Sequence, residues 1–254
     1  MAKFISLYSG SKGNACVVLS ESGEGVLLDC GVSFTKLKAG LDAAGVPLSA
    51  LRGVVVTHEH SDHIGGLSVF LCKTGLPVYL NRRTAQTISF ALEDAVVSEN
   101  DPFPVGNIEV RRFPVRHDAA ACSGYVFKVD GKKITAMTDC GIVDARMLAA
   151  AADSDLLYIE SNYDEIMLEN GPYPPHLRRR IRSEKGHLSN RECADTVTKL
   201  ALLGLRKVVL GHVSENNNTY LQAKRCTLDA LSVLGLDVAV EVADESPEPL
   251  VVEV

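Results

Sequence analysis

The chain has no tryptophan, and phenylalanine and tyrosine bring its aromatic share to only 6%. A stacking platform for long single strands needs several such rings, so none is expected. Its seven cysteines include no Cys-x-x-Cys pair. The odd number and the scattered spacing argue against a disulfide frame and for reduced, buried thiols of a cytosolic protein. No apolar run approaches the length needed to cross a bilayer. The opening residues Met1-Ala2-Lys3-Phe4-Ile5-Ser6 lack the apolar stretch of a secretory signal, so a cytoplasmic location without a membrane partner is expected. A Gly-x-x-x-x-Gly-Lys-Ser/Thr phosphate loop is missing. Positive charge is not in excess: 26 Lys and Arg against 32 Asp and Glu give a net −6. That excludes indiscriminate coating of nucleic acid but leaves room for a local basic groove.

What is present is ordinary globular material, 46% hydrophobic and 23% charged over 254 residues, with no repeat, linker or low-complexity tract. Residues 1–254 are expected to form one domain. Short strands are predicted at 3–8, 15–20 and 25–29. A helix follows at 33–44, where Phe34, Leu37, Leu41 and Ala44 share a face. A strand at 53–57 leads into a helix near 63–73. Further strands are predicted at 107–114, 124–130 and 132–138, with Asp130-Gly131 as a tight turn. Helices near 142–152, 189–203 and 219–235 alternate with strands near 155–160, 206–211 and 237–242. Two β-rich halves covered by helices make a layered α/β sandwich.

The most informative stretch is Thr57-His58-Glu59-His60-Ser61-Asp62-His63, directly after the apolar run Val54-Val55-Val56. Residues 58 and 60 share one side of an extended chain, and Asp62 and His63 fall where a helix would begin. Nitrogen and oxygen donors without a thiolate suit a divalent metal of borderline or hard character. Other candidates sit at the carboxyl ends of apolar runs, where α/β folds collect functional groups: His117 after Val110–Val115, Asp139 after Ile134–Thr138, and His212 after Lys207–Gly211. Taken singly, each reads more readily as a hydrogen-bonded structural residue. With His58, His60, Asp62 and His63 they supply seven ligands, enough for two metals.

This set resembles the metallo-β-lactamase superfamily in its metal motifs, and Asp29, closing the strand Val26-Leu27-Leu28, also matches. The resemblance implies a four-layer αββα sandwich with a two-metal site at one edge. It implies His58, His60 and His117 on one metal, Asp62, His63 and His212 on the other, and Asp139 bridging. Asp29 would orient the metal loop. Manganese, zinc or iron would suit the donors, and the resemblance leans towards manganese for activity.

Three further segments narrow the resemblance: Ile159-Glu160-Ser161-Asn162, Gly186-His187-Leu188-Ser189-Asn190, and Gly211-His212-Val213-Ser214-Glu215-Asn216-Asn217-Asn218. With Ser9-Gly10-Ser11-Lys12-Gly13-Asn14 they are similar to the YycJ-type (WalJ) branch, which implies a metal-dependent 5′-to-3′ exonuclease on DNA. Only 72 residues separate Asp139 from His212, too few for a β-CASP cap. Only 21 separate His117 from Asp139, too few for the long arm of transfer-RNA 3′-processing enzymes. The Gly-His187-Leu-Ser segment nevertheless resembles their Gly-His-Ser/Thr segment, whose histidine is thought to protonate the leaving group. His187 is therefore placed as general acid, against a structural hydrogen bond at a helix start.

The Ser9–Asn14 segment reads either as a hairpin turn or as a lining of the metal cleft through Ser11 and Asn14, to which Asn162 and Asn217 would add. The basic run Arg178-Arg179-Arg180-Ile181-Arg182 reads either as a solvated helix face or as a phosphate-backbone contact in which Arg178, Arg179, Arg180 and Arg182 hold the chain, with Arg178 and Arg182 as the leading candidates. Cys30 and Cys140 each follow a site aspartate and read better as buried filler than as ligands. The expected reaction is phosphodiester hydrolysis of nucleic acid, DNA more than RNA, by a hydroxide bridging two metals near Asp62. The rival enzyme is a small-molecule metallo-hydrolase of the glyoxalase II or lactonase kind; a metal-stabilised binding module is the non-enzymatic reading. Arg178–Arg182 and His187 favour the nuclease.

Overall fold

The architecture follows from strands that have no polar face. In Val54-Val55-Val56, Val54 and Val56 pack outward in one apolar cluster while Val55 packs inward in another. In Val208-Val209-Leu210, Val209 joins that same inner cluster and its neighbours a third. Strands buried on both faces must be covered by layers on both sides. A computed structural model, describing residues 1–90, 95–97, 102–246 and 248–254, shows how.

The first half supplies β1 (Lys3–Tyr8), β2 (Ala15–Leu19), β3 (Gly25–Leu28), α1 (Phe34–Ala43), β4 (Leu51–Val55), α2 (Ser61–Ile64), α3 (Leu67–Thr74), β5 (Val78–Leu80), α4 (Arg82–Thr87) and β6 (Ala95–Val97). The second supplies β7 (Phe103–Val105), β8 (Ile108–Val115), β9 (Cys122–Val129), β10 (Lys132–Met137), α5 (Ala145–Ala151), β11 (Leu156–Glu160), α6 (Glu165–Asn170), α7 (Pro175–Ile181), α8 (Asn190–Leu202), β12 (Lys207–Gly211), α9 (Tyr220–Val233) and β13 (Ala239–Val242). β14 (Leu250–Glu253) then returns to pair with β1. The sheets run β14-β1-β2-β3-β4-β5-β6 and β13-β12-β11-β10-β9-β8-β7. In each, an antiparallel meander gives way to parallel strands, at β3 in the first and at β10 in the second.

Phe4, Val18, Val55, Tyr125, Phe127, Leu156 and Val209 fill the space between the sheets. Leu37, Leu41, Leu67 and Phe70 of α1 and α3 cover the outer face of the first sheet. Met147 of α5, Val197 and Leu200 of α8, and Leu231 of α9 cover the second. This is the αββα sandwich the sequence predicts. Its predicted strands and helices recur with ends shifted by a few residues. The segment expected as one helix near 63–73 is instead split at Gly65-Gly66. A Cβ at Gly66 would lie 1.9 Å from the Val32 carbonyl oxygen, so the chain breaks helix there to pass close to another backbone. The short β5–β7, α4, α6, α7 and β14 have too little periodicity to read from sequence. No described helix is long and apolar enough to cross a membrane.

Candidate metal centre

The site forms where the carboxyl ends of β4, β10, β11 and β12 meet. The loop after β4 carries His58 and His60. α2 begins directly after His60 and places Asp62 and His63 in its single turn. The loop after β8 carries His117. Asp139 follows β10 and His212 follows β12, both in the left-handed region at φ 55° and 53°. Asp and His are among the few non-glycine residues that visit that conformation, and it still has a cost that the surroundings must offset.

All seven predicted ligands converge. His58, His60 and His117 can offer ligand atoms within 4.8 Å of one another; so can Asp62, His63 and His212, and so can His58, His63 and Asp139. The ring orientations are set from outside the cluster. His63 Nδ1 lies 2.8 Å from Asp29 Oδ2, and His117 Nδ1 lies 3.1 Å from the Gly186 carbonyl oxygen, to which it can only donate. His58 Nδ1 lies 3.0 Å from Thr57 Oγ1, whose hydroxyl donates to Asp29 Oδ2 at 2.9 Å. With Nδ1 committed, each Nε2 is left for the cluster, as outer partners do around a metal. His58 Nε2 and Asp139 Oδ2 are buried with no hydrogen-bond partner. Buried polar atoms are almost always hydrogen-bonded, so these two, with only His63 Nε2 3.3 Å from Asp139 Oδ2 as a charged neighbour, fit a place for cations.

The charges agree. Burial, then the nearby His63, pushes the pKa of His58 well below its ordinary value. Burial opposes protonation of His63 too, but the Asp139 and Asp29 carboxylates outweigh it and raise that pKa well above the ordinary range. His212 is likewise lifted against its burial, chiefly by Asp139, to about 10. The carboxyl of Asp139, which burial alone would push up, is held well below its usual range by His212 and His63. The raised imidazoles of His63 and His212 and the lowered carboxyl of Asp139 thus put positive charge beside an ionised carboxylate, the balance a cation would also supply.

The other predicted residues divide. Asp29 spends both oxygens on the loop, accepting from the Thr57 N–H at 2.8 Å as well as from the groups above. Ser11, Asn162 and His187 line a cleft of about 210 Å³ together with His60, Asp62, His117, Asp139 and His212. Asn14 does not line the cleft but touches the cluster from the side: its Nδ2 lies 3.4 Å from Asp62 Oδ2 and 3.3 Å from His63 Nε2, and its backbone N–H donates to the Asp62 carbonyl oxygen at 2.8 Å. Asn217 is buried outside the cleft lining, its Nδ2 3.5 Å from Ser214 Oγ. Arg178 and Arg182 turn to Glu169, their Nη atoms 3.5 Å and 2.6 Å from its carboxylate, and do not line the cleft; Arg180 does. Cys30 and Cys140 are fully buried, and burial raises the Cys30 thiol to about 12, so neither offers a thiolate.

Sequence reasoning passed over three residues. Glu160, fully buried at the end of β11, accepts from the Cys140 N–H at 2.6 Å and the Leu188 N–H at 3.2 Å, and its Oε2 lies 3.0 Å from His187 Nδ1. Burial would raise its pKa, but the charge and hydrogen bond of His187 bring it down to about 2. Ser9 Oγ accepts from the His212 N–H at 2.9 Å. Asp118 bridges His117 and Arg180. The first was signalled by a carboxylate closing the apolar run Leu156–Ile159, the same pattern that marked Asp29. The other two carry no such mark. His187 stands two residues before Ser189, the N-cap of α8 with a reciprocal Glu192 capping box, so a rigid helix start fixes its backbone. Its ligand atom also falls within 4.8 Å of those of Asp139, Glu160 and His212.

The model of the beta-lactamase superfamily domain matches residues 25–213. The chain belongs to that superfamily. Members of this fold family hold divalent metal ions, which the donor set here fits. Within the superfamily, it is 34% identical over 253 residues to an exodeoxyribonuclease YycJ of Bacillus anthracis, covering 96% of each chain. It is also 34% identical over 256 residues to an exodeoxyribonuclease WalJ of Streptococcus pneumoniae, covering 97% of this chain and 95% of that one. Among solved structures, the metallo-β-lactamase fold protein YhfI of Bacillus subtilis superposes with a TM-score of 0.76 over 100% of both chains at 16% identity, a likeness of fold alone.

Proposed function

We propose that this chain is a binuclear metal-dependent phosphodiesterase that degrades nucleic acid, as a DNA exonuclease of 5′-to-3′ polarity. The observation that carries this reading is near full-length similarity to two exodeoxyribonucleases, on a chain whose seven candidate ligands converge with two bare buried donor atoms. His58, His60 and His117 would hold one ion and Asp62, His63 and His212 the other, with Asp139 shared; manganese, zinc and iron all suit the donors. Two such ions, when bound, supply a nucleophile from water at neutral pH and stabilise negative charge developing on phosphorus.

The side chains do the rest. Asp62, partly exposed in the cleft lining, orients the attacking water by accepting a hydrogen bond from it. His187 is held through Nδ1 by Glu160, which leaves Nε2 to deliver a proton to the departing sugar oxygen. The buried Glu160 carboxylate fixes the ring's orientation for that delivery. A cleft of about 210 Å³ lies below the roughly 300–1,000 Å³ usual for whole small ligands; it suits a phosphodiester linkage and part of its nucleoside.

The test is digestion of end-labelled single- and double-stranded DNA and RNA by metal-stripped protein with each ion added back. Stepwise loss of label from a 5′ end, DNA before RNA, is expected. Hydrolysis of a thioester or lactone with no cleavage of any phosphodiester would establish the small-molecule reading instead.

A further inference from the structure

Among the described residues that line the cleft, Arg180 is the one lysine or arginine. Helical geometry explains why it parts from its neighbours. Arg178 and Arg182 are four residues apart on and just past α7 and share one face, where both reach Glu169. Arg180 lies two residues from each and so points to the other side. Its side chain is 58% exposed, and its Nε donates to Asp118 Oδ2. Asp118 also lines the cleft, and its Oδ1 is 3.3 Å from Nε2 of the candidate ligand His117. The carboxylate therefore fixes the guanidinium at the cleft wall beside the metal cluster. A guanidinium has five donors in a planar fork; a bond at Nε leaves the Nη donors to take an oxyanion.

We propose that Arg180 clamps a non-scissile phosphate, the one adjoining the linkage that is cut, and that Asp118 positions it for that contact. This rests on the nuclease reading above and adds the residue that makes the site prefer a polyanionic chain to an isolated diester. The scissile phosphate faces the ions; a second phosphate has no other lining cation to meet among the described residues.

The experiment is a salt series of binding, by the metal-loaded protein, of a phosphorothioate single-stranded oligodeoxynucleotide that resists cleavage. Arg180→Gln should weaken binding by about tenfold or more, the loss of a hydrogen-bonded charge contact. The slope of log K against log salt should flatten by about 0.7, the release expected for one phosphate on single-stranded DNA. Arg180→Lys should keep the slope and lose part of the affinity, because the charge stays and the fork does not. Asp118→Asn should weaken binding without changing the slope. Metal content and thermal midpoint of Arg180→Gln should match the parent, with Arg179→Gln as the control that changes nothing. An unaltered slope in Arg180→Gln overturns the proposal. So does a flattened slope in Arg178→Gln/Arg182→Gln in its place, and so does a lowered metal content with an unaltered slope, which would make Arg180–Asp118 a structural pair. If the parent protein cleaves no phosphodiester at all, the nuclease reading fails; if it cleaves and the slope of Arg180→Gln holds, only the clamp fails.

Discussion

The segments Asp29-Cys30-Gly31 and Asp139-Cys140-Gly141 are the same three residues at the same place in the two halves of the fold. Each follows the strand at which its sheet turns from antiparallel to parallel. Each aspartate is left-handed, at φ 59° and 55°. Each cysteine is fully buried. Each glycine lets another backbone close in: a Cβ would lie 1.7 Å from the Asp62 carbonyl oxygen at Gly31 and 2.3 Å from that of Ser183 at Gly141. Yet Asp29 has both oxygens occupied by Thr57 and His63, while Asp139 keeps a buried oxygen that takes no hydrogen bond and has only the His63 Nε2 charge 3.3 Å away. Backbone geometry delivers a carboxylate to the sheet edge in both halves. The donors supplied by the next parallel strand decide its use. β4 runs into Thr57, with two donors, which turns Asp29 into a brace. β11 ends in Glu160, an acceptor, which leaves Asp139 turned to the histidine cluster.

Exchanging amide for carboxylate at the two positions gives the largest contrast. Asp139→Asn should retain the fold, fall below two ions per chain and lose about 10³-fold or more in hydrolysis, several kcal/mol of charge stabilisation. Asp29→Asn presents an NH₂ to donors, so it should weaken metal affinity by about 10–100-fold and recover activity when the ion is in excess. Metal content by atomic absorption, with rates at saturating metal, separates them. Equal and unrescued losses would erase the distinction.

His187→Ala asks whether the second half uses its strand-end carboxylate, Glu160, in the way the first uses Asp29. As general acid, His187 should contribute about 10²–10⁴-fold on DNA, and less on a nitrophenyl diester, whose leaving group needs little protonation. Both ions should remain. Loss of an ion would make His187 a ligand, a role its distance to Asp139 and His212 also permits.

Removing the ions tests how each half carries its charges without them. His212, lifted from 6.5 to about 10, contributes stability that is complete below about 6.5 and is lost as pH rises through its folded value. Asp139, held below 3.8, contributes stability that is present above that value and is lost as pH falls. The metal-free protein should therefore remain folded and be most stable at mildly acid pH. Ion binding needs neutral imidazoles and strengthens as pH rises. The drop in thermal midpoint on adding chelator should accordingly grow from pH 6 to pH 9; a drop that shrinks over that range would contradict this charge assignment.

The convergence of the candidate ligands was legible because metal chemistry needs rare side chains at strand ends, and strand ends show in apolar runs such as Val54–Val56 and Lys207–Gly211. The sandwich was legible because both-face burial leaves its strands without a polar side. Asp29 and Asp139, by contrast, look alike in sequence, and only family resemblance assigned one as a brace and the other as a candidate bridge. Arg178 and Arg182 stood out as charges in a run, but which face of α7 meets the cleft depends on how that helix docks, a tertiary fact no local pattern carries. Ser9 was hidden for a related reason: its partners lie 149 and 203 residues away.

Ser9 gives the smallest expected effect and tests whether the first half braces the second. Its hydroxyl is fully buried between Tyr158, whose OH is 2.8 Å away, and the N–H of His212. His212 is strained at φ 53°, and a β-region relaxation would swing its ring out of the cluster. Ser9→Ala leaves a buried N–H and a buried phenol each short of a partner, at a cost of about 1–3 kcal/mol, or very roughly 2–4 °C in thermal midpoint for each kcal/mol in a chain of this size. If the bond only fills space, affinity for both ions should be untouched. If it holds His212 in its left-handed turn, the ion shared by Asp62, His63 and His212 should bind up to about tenfold more weakly, while the ion on His58, His60 and His117 is unaffected. Titration calorimetry of metal-stripped Ser9→Ala resolves the two steps, and two equal losses would show that the brace acts on the whole site and not on His212.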